Sequence, residues 1–460
     1  MTLIKSISGI RGTIGGKTGE NLTPSDIVKF TAAFGIWVSG RNPGSKTAIV
    51  VGRDGRSSGK MVQGIVNSTL QSLGIDVIDL GLATTPTVEL AVTGTGSQGG
   101  IILTASHNPA NWNALKLLDN TGEFLSEKQG LEVLELTASD TLNYAAYDSL
   151  GRIIPDNSWN EKHIGLVTRL KLVDVEAIRK AGFKVAVDCI NSVGGIIIPM
   201  LLKNLGVADI IILNGEPDGN FSHNPEPLPE NLEEIAGLVV REKADVGFVV
   251  DPDADRLAII CEDGSMFGEE YTLVSVSDYV LSKTPGNTVS NMSSTRALRD
   301  ITEKHGAEYF ASPVGEVNVV EEMKKRNAVI GGEGNGGIIY PELHYGRDAL
   351  AGIALFLSQL ASAGSTCSRL RKTYPGYFIT KLKVQIDDQF DFDKLRDDIK
   401  KLFTGYRIDL RDGIRVDTES GWVQVRKSNT EPIIRIYAEG PGESEANSLA
   451  GRIIDIVKKH

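Results

Sequence analysis

The sequence predicts an α/β protein with three similar mixed α/β domains and a smaller C-terminal α+β domain. The chain has 460 residues, more than one ordinary core holds, since domains usually contain ~100–200 residues. Short β-branched runs alternate with helix-like stretches three times along the chain. The pattern changes after residues 374–376, where strands alternate with one charged helix. These observations predict three or four domains.

The three α/β domains are predicted from strand–helix–strand patterns. The first pattern reads TAIVVGRD, MVQGIVNSTLQSLG and IDVIDLG, and the second reads KVAVDCINSVGG, IIIPMLLKNLG and ADIIILNG. The third reads GNTVSNMSS, TRALRDITEKHG and AEYFASPVG. The order of strands and helices repeats in the three domains, but their amino-acid sequences show no repeat.

The C-terminal domain is predicted from the strands FITKLKVQI, GWVQVRKS and PIIRIYAEG, the charged helix FDKLRDDIKKLF, and a final helix over 443–459. The predicted domain boundaries are 1–150, 151–258, 259–373 and 374–460. Each of these four predicted domains contains one of the four segments described below.

Composition excludes several classes of protein. The net charge of −11 and the lack of a basic run argue against a nucleic-acid partner. No stretch approaches the ~20 apolar residues of a membrane span. The three cysteines, Cys189, Cys261 and Cys367, are far apart in sequence, which predicts buried thiols and a cytoplasmic protein.

The segment IILTASHNPANWNALKL places Ser106 after an apolar run, in a turn closed by Asn108 and Pro109. At that position we expect an exposed side chain, and an isolated turn of this kind is most often only structural. His107 and Lys116 lie close by in sequence. A lysine can neutralise phosphate charge or, with a lowered pKa, shuttle a proton. Together these residues favour phosphoryl transfer.

The segment FVVDPDADRLAII places Asp251, Asp253 and Asp255 between two apolar strands. The spacing resembles the first half of a calcium EF-hand loop, with Glu262 at its twelfth position. Arg256 stands where that loop needs glycine, and a strand follows. Three carboxylates with few other oxygens fit Mg²⁺ better. A solvated acidic turn is the alternative, although burying these carboxylates without a cation would be costly.

Two further segments have the composition of ligand-binding loops. GGEGNGGIIYP sets Glu333 and Asn335 among glycines, where a carboxylate and a carboxamide can bind sugar hydroxyls. A plain glycine-rich turn explains it equally well. VQVRKSNTEPIIRIYAEG has arginines flanking a polar turn, which favours phosphate binding over a charged hairpin. The polar and basic residues of that segment are Arg426, Ser428, Asn429, Thr430 and Arg435.

With these four segments in order, the chain resembles the α-D-phosphohexomutase family, which includes phosphoglucomutase, phosphomannomutase and phosphoglucosamine mutase. TASHNP, DPDADR, GEGNGG and RKSNTEPIIRIYAE are similar to the family's phosphoserine, metal, sugar-binding and phosphate-binding loops. The resemblance covers nearly the whole chain. It implies one loop per domain around a central cleft.

The resemblance also implies residue roles. Ser106 would carry the phosphoryl group, with Mg²⁺ held against it by Asp251, Asp253 and Asp255. Lys116 would be the general acid/base. Arg256 would help to stabilise the charge of the transferring group, and Arg11 would lie near the phosphoserine. His107 would also belong to the catalytic site. The residues that would bind substrate are Glu333, Asn335, Gly315, Arg347 and the phosphate-loop set Arg426, Ser428, Asn429, Thr430 and Arg435; Asp348 would also line the cleft.

The implied activity interconverts hexose 1-phosphate and hexose 6-phosphate through a phosphoserine enzyme and a hexose 1,6-bisphosphate, which also serves as activator. The chain would act as a phosphoglucosamine mutase or a phosphoglucomutase/phosphomannomutase, as a monomer or homodimer. A phosphoserine-dependent phosphatase and a non-catalytic sugar-phosphate binding protein are the alternatives. Many members have serine and histidine where this chain has Asn335 and Gly337. His344 is a candidate to replace that histidine.

Overall fold

The computed structural model describes residues 2–6, 9–138, 143–387, 390–427 and 433–458. The chain forms two compact units, Met1–Thr272 with Gly336–Ser368, and Leu273–Asn335 with Arg369–His460. No helix in these described ranges is both long enough and apolar enough to span a bilayer.

The first unit begins with a seven-stranded mixed sheet. Its strands are β1 (Ile4–Ser6), β2 (Gly9–Thr13), β3 (Ala48–Arg53), β4 (Asp76–Leu82), β5 (Gly99–Leu103), β6 (Trp112–Leu118) and β7 (Ile153–Pro155), in the order β1-β2-β6-β5-β3-β4-β7. The accompanying helices are α1 (Pro24–Gly40), α2 (Gly59–Ser72), α3 (Thr85–Thr95) and α4 (Glu127–Leu136).

The core of this sheet lies on both of its faces. In β3, Ile49 and Val51 pack in one apolar cluster with α1 and α2, whereas Val50 packs in another with α3. Alternate side chains of a strand point to opposite faces, so a strand covered on both sides needs a continuous apolar run. The runs that predicted β3 and β5 are apolar for this reason, and every residue of β5 is buried.

A four-stranded sheet completes the first unit's framework, with strands β8 (Lys184–Asp188), β9 (Asp209–Leu213), β10 (Val246–Val250) and β11 (Leu257–Cys261) in the order β11-β10-β8-β9. Its helices are α5 (Trp159–Thr168), α6 (Val175–Ala181), α7 (Gly194–Asn204) and α8 (Glu233–Glu242). β10 is parallel to β8 and antiparallel to β11. The short connection from β10 to β11 holds the three predicted metal ligands.

The second unit contains a parallel sheet with the order β13-β12-β14. Its elements are α9 (Glu269–Lys283), which begins in the first unit, β12 (Thr288–Asn291), α10 (Ala297–Lys304), β13 (Tyr309–Ser312), α11 (Glu316–Arg326) and β14 (Ile330–Glu333). The chain then supplies β15 (Gly337–Ile339) and α12 (Ala349–Ala363) to the first unit and leaves it within α13 (Cys367–Arg371).

The rest of the second unit is an antiparallel sheet with the order β16-β20-β19-β18-β17. Its elements are β16 (Phe378–Gln385), α14 (Phe392–Leu402), β17 (Arg407–Asp409), β18 (Ile414–Asp417), β19 (Trp422–Lys427), β20 (Ile433–Gly440) and α15 (Glu443–Val457). The two helices pack on one face, with Leu395 and Ile453 buried in the same apolar cluster as Val425.

The predicted fold class is confirmed, because three helix-flanked α/β sheets precede an antiparallel sheet with helices on one face. All three cysteines are free and buried, also as expected.

Candidate active site

Two loops of the first unit meet at the carboxyl ends of their strands. The serine loop (residues 104–112) follows β5, and the acidic loop (residues 251–256) follows β10. In α/β sheets this edge is where ligands usually bind, because the strand ends leave loops free to converge. Polar side chains carried by both loops are therefore brought together.

Ser106 is directed at the acidic loop. Its hydroxyl donates a hydrogen bond to Asp251 Oδ2 at 2.6 Å, and its backbone N–H donates to Thr104 Oγ1 at 2.9 Å. Ser106 has a φ of 47°, a conformation uncommon outside glycine. The side chain is only 7% exposed. The prediction of an exposed serine is wrong, because the hydroxyl faces Asp251 instead of solvent.

The three aspartates of the acidic loop form one cluster. Asp251, Asp253 and Asp255 are each 0% exposed, and one carboxylate oxygen from each lies within 4.8 Å of the others. Asp251 Oδ1 accepts hydrogen bonds from the backbone N–H groups of Asp255 (3.2 Å) and Arg256 (3.1 Å). Ala254, at φ 52°, lets the loop turn back on itself. The loop backbone therefore orients its own carboxylates.

Two cations lie against this cluster. Lys116 Nζ is 2.7 Å from Asp253 Oδ2 and 3.6 Å from Asp255 Oδ2, and Arg347 Nη2 donates to Asp255 Oδ2 at 2.7 Å. Burial by itself lowers the pKa of Lys116, but the charges of Asp253 and Asp255 outweigh it and raise that pKa above its ordinary value. The structure therefore favours the protonated form of Lys116, which can neutralise phosphate charge or donate a proton, and not the lowered pKa considered from the sequence.

The carboxylates fit a divalent cation. Burial and the like charges of Asp255 and Asp253 raise the pKa of Asp251 well above its usual range. Among the described residues, Asp253 Oδ1 and Asp255 Oδ1 have no hydrogen-bond donor. Buried carboxylate oxygens without donors are costly, and hard oxygen ligands are those that Mg²⁺ prefers. A bound cation would satisfy these oxygens and relieve the repulsion.

A cationic cluster surrounds His107. The charge of Arg256 is the largest cause that holds the pKa of His107 well below its usual range, followed by burial and by the charges of Arg11 and Arg347. The imidazole is therefore neutral, and its Nδ1 is 3.4 Å from Ser106 Oγ. The three arginines act on His107, the residue after Ser106, and their positive potential suits a phosphoryl group.

A buried polar network of the first unit begins at the residue that follows Arg347 in sequence. That residue, Asp348, caps α12 by accepting from two backbone N–H groups of that helix. Its Oδ2 is 2.9 Å from His163 Nε2 and 3.2 Å from His344 Nε2, and His344 Nδ1 is 3.2 Å from Glu89 Oε2. His344, a candidate to replace the sugar-loop histidine, thus lies between two carboxylates.

In the second unit, the predicted sugar-binding residues lie together. Glu333 ends β14 and is 4% exposed. Its Oε1 accepts from Asn291 Nδ2 at 2.8 Å and from the Gly315 N–H at 3.3 Å, and its Oε2 accepts from Asn335 Nδ2 at 3.4 Å. Gly315 has a φ of 118°, which a side chain would disfavour.

The predicted phosphate-binding arginines lie on neighbouring strands of the same unit. Arg426 of β19 and Arg435 of β20 are direct partners in the register. Arg426 Nε donates to Asp412 Oδ1 at 3.2 Å, and Asp412 Oδ2 accepts from the Val314 N–H at 3.0 Å. Asp412 thus links Arg426 to the segment that contains Gly315. The remaining predicted residues, Ser428, Asn429 and Thr430, lie outside the described residues.

Two residues that no sequence motif predicted contact the predicted loops: Arg56 donates to four carbonyl oxygens of the serine loop, and Asp412 accepts from Arg426 and Val314. Arg56 follows β3, and β3 is the parallel neighbour of β5. The rule that adjacent strand ends converge could have identified it, because the segment GRDGR ends that strand. Nothing in the sequence marks Asp412, since its partners come from distant segments.

Sequence models of one family match the chain in four consecutive segments. They are described as Phosphoglucomutase/phosphomannomutase, alpha/beta/alpha domains I, II and III, and as the C-terminal domain. They match residues 3–143, 162–264, 268–377 and 382–456 respectively.

Similar proteins agree with this match. A phosphoglucomutase/phosphomannomutase of Thermococcus kodakarensis is 36% identical over 95% of this chain and 95% of its own. A "Probable phosphoglucosamine mutase" of Methanopyrus kandleri is 32% identical over 98% of this chain and 97% of its own. The crystal structure of a phosphoglucomutase/phosphomannomutase family protein from Burkholderia thailandensis has a TM-score of 0.84 at 27% identity and covers 99% of this chain and 98% of that one.

The fold and these matches define a phosphohexomutase, an enzyme of the isomerase class. The chain belongs to the phosphoglucomutase/phosphomannomutase family.

Proposed function

We propose that this enzyme interconverts hexose 1-phosphate and hexose 6-phosphate and carries the transferred phosphoryl group on Ser106. The observation that carries the proposal is the 2.6 Å hydrogen bond from Ser106 Oγ to Asp251 Oδ2. It joins a serine hydroxyl to a buried carboxylate cluster that fits a divalent cation. Phosphoryl transfer needs this combination of an oxygen nucleophile and concentrated positive charge.

In the proposed first step, the bond between phosphorus and Ser106 Oγ breaks and phosphorus bonds to the free 6-hydroxyl oxygen of hexose 1-phosphate. Lys116, protonated because of its raised pKa, gives a proton to Ser106 Oγ and receives the proton of the sugar hydroxyl. The resulting 1,6-bisphosphate reorients end over end within the site. It then returns its other phosphoryl group to Ser106 and leaves as hexose 6-phosphate. Added bisphosphate therefore activates unphosphorylated enzyme.

Charge stabilisation in this scheme comes from the first unit. Asp251, Asp253 and Asp255 would hold Mg²⁺, which when bound offsets the negative charge of the transferring phosphoryl oxygens. The cluster around His107 supports the same function. The three arginines that we assign to charge stabilisation are Arg11, Arg256 and Arg347.

Substrate recognition is assigned to the second unit. Glu333 and Asn335 would bind sugar hydroxyls, and Gly315 would allow close approach of the backbone. Arg426 and Arg435 would bind the phosphate that does not react, because guanidinium groups pair strongly with phosphate oxygens. Ser428, Asn429 and Thr430 are proposed to belong to the same phosphate site.

The proposed substrates are the phosphates of glucosamine, glucose and mannose, for which the relatives described above are named. The test is a mutase assay on the three 1-phosphates with Mg²⁺ and a trace of the corresponding bisphosphate. We expect the 6-phosphate to form with little release of inorganic phosphate. Stoichiometric release of phosphate would instead show a phosphatase, and binding without turnover on all three would contradict the proposal.

A further inference from the structure

The Arg56 side chain donates hydrogen bonds to the backbone of the serine loop. It is 1% exposed. Its Nη2 donates to the carbonyl oxygens of Ser106 (2.5 Å) and Asn108 (2.7 Å). Its Nη1 donates to the carbonyl oxygens of Pro109 (2.6 Å) and Trp112 (2.9 Å). One guanidinium therefore satisfies four backbone acceptors in a single loop.

A carboxylate in turn fixes the guanidinium. Arg56 Nε donates to Asp54 Oδ2 at 3.0 Å, and the Arg56 N–H donates to Asp54 Oδ1 at 3.0 Å. The same carboxylate accepts from Thr104 Oγ1 at 2.6 Å, and Thr104 Oγ1 accepts from the Ser106 N–H. Lysine cannot reproduce this arrangement, because its ammonium has three donors and no planar fork.

The loop needs such support because its backbone is strained. Ser106, with φ 47°, is a non-glycine residue in the left-handed region, and such conformations persist only where surrounding contacts determine them. The Ser106 carbonyl points at Arg56. In a planar trans peptide the N–H points opposite to the carbonyl, so the His107 N–H points away from Arg56. Without the guanidinium, the Ser106 carbonyl, whose hydrogen bond with Arg56 is buried, would lose that donor.

The same turn is linked to the acidic loop. The Gly55 N–H donates to Ser192 Oγ at 2.9 Å, and Ser192 Oγ donates to the carbonyl oxygen of Pro252 at 2.6 Å. The Phe221 ring also packs on the guanidinium, with its centre 5.1 Å from Arg56 Cζ. The turn after β3 therefore contacts the serine loop directly and the acidic loop through one hydroxyl.

We infer that Arg56 is a positioning residue for phosphoryl transfer. It sets the conformation of the serine loop. The link from Gly55 through Ser192 sets the position of that loop relative to the acidic loop. This inference rests on the proposed role of Ser106. A shift of about 1 Å between reacting groups can lower a rate by roughly 10²-fold. A displacement of the serine loop relative to the acidic loop would therefore lower kcat.

The test compares Arg56→Lys with Arg53→Lys in the full-length, Mg²⁺-loaded enzyme. Arg53 is a matched control, because it is 8% exposed, ends the same strand and donates to Gln63 Oε1 (3.0 Å) and the Asp54 carbonyl (3.1 Å) but not to the serine loop. We measure kcat and KM with hexose 1-phosphate, the unfolding temperature, and backbone amide exchange over residues 104–112.

For Arg56→Lys we expect a fall in kcat of roughly 10²-fold with little change in KM, and faster amide exchange in the serine loop. Arg53→Lys should also lose thermal stability, because it removes buried hydrogen bonds, but should keep both kcat and slow exchange. Wild-type kcat in folded Arg56→Lys, or an equal fall of kcat in both variants at equal loss of stability, would overturn the inference.

Ser192→Ala tests the second half of the inference and does not depend on folding of the Arg56 variant. We expect a smaller fall in kcat, roughly 10-fold, and unchanged exchange in the serine loop. An unchanged kcat would overturn the link to the acidic loop. If the wild-type enzyme forms no isomer, the proposed function fails, whereas the exchange comparison still tests whether Arg56 holds the loop.

Discussion

The acidic loop and the β19–β20 pair hold their charges in different ways. The three aspartates of the acidic loop are fully buried, and two of them, Asp253 and Asp255, contact Lys116 and Arg347 respectively at hydrogen-bond distance. The Arg426 side chain is 19% exposed and contacts Asp412 at 3.2 Å. Buried charges in fixed positions suit the step that makes and breaks bonds, because they need no reorganisation. A partly exposed arginine suits recognition of a phosphate that arrives from water.

Ser106→Ala should have the largest effect. We expect the mutase rate to fall by roughly 10⁴-fold or more, because the group that receives the phosphoryl is removed. Binding of hexose 1-phosphate, measured by calorimetry, should change little. The assay must contain no wild-type enzyme. Undiminished turnover of this variant would place the reaction outside the serine loop.

Asp251→Asn should separate metal binding from folding. At a Mg²⁺ concentration near 100 times its Kd, the wild-type protein should gain about 2.7 kcal/mol of stability, and the variant should gain much less. Without metal the variant should be at least as stable as wild type, because burial and the like charges of the neighbouring aspartates raise the pKa of Asp251 in the metal-free protein. Thermal unfolding with and without Mg²⁺ measures both effects.

The control for the metal experiment is Asp209→Asn, whose carboxylate lies outside the acidic loop and pairs with Lys184 at 3.4 Å. It should keep the full Mg²⁺-dependent gain. An equal gain in all three proteins would show that Mg²⁺ binds elsewhere.

Arg426→Ala tests the recognition side of the comparison. We expect KM to rise roughly 10-fold with little change in kcat, because a remote phosphate is bound equally in the ground and transition states. Arg411→Ala is the control, since Arg411 is 46% exposed and pairs with Asp409. A fall in kcat at unchanged KM would assign Arg426 to the chemical step instead.

His344→Asn should have the smallest effect on turnover and a pH-dependent effect on stability. Burial disfavours the imidazolium, but its hydrogen bonds with Asp348 and Glu89 outweigh burial and raise the pKa of His344 to about 10. The resulting stabilisation is complete below the ordinary pKa of 6.5 and is lost as pH rises toward about 10.

Urea unfolding of wild type and His344→Asn across that pH range measures this stabilisation. The difference in free energy of unfolding should shrink by a few kcal/mol between the two pKa values. A difference that does not vary with pH would show that His344 is not charged in the folded protein.

The parts of this molecule that the sequence could predict are those with a local pattern. β3, β5 and β10 are buried apolar runs, and the acidic loop is recognisable because three aspartates alternate between two such runs. The position of Arg56 after β3 could have marked it as a candidate, but its contacts could not be predicted, because the atoms that it binds are backbone carbonyls about fifty positions away in sequence. The burial of Ser106 also depends on a distant partner, Asp251.

The central claim is that Ser106 carries the phosphoryl group between hexose positions. The most direct measurement uses enzyme labelled with radioactive phosphate from hexose 1,6-bisphosphate, freed of ligand and mixed with unlabelled hexose 1-phosphate for a single turnover. We expect the label on a peptide containing Ser106 before mixing and on hexose bisphosphate afterwards. Label on another residue, or its release as inorganic phosphate, would contradict the claim.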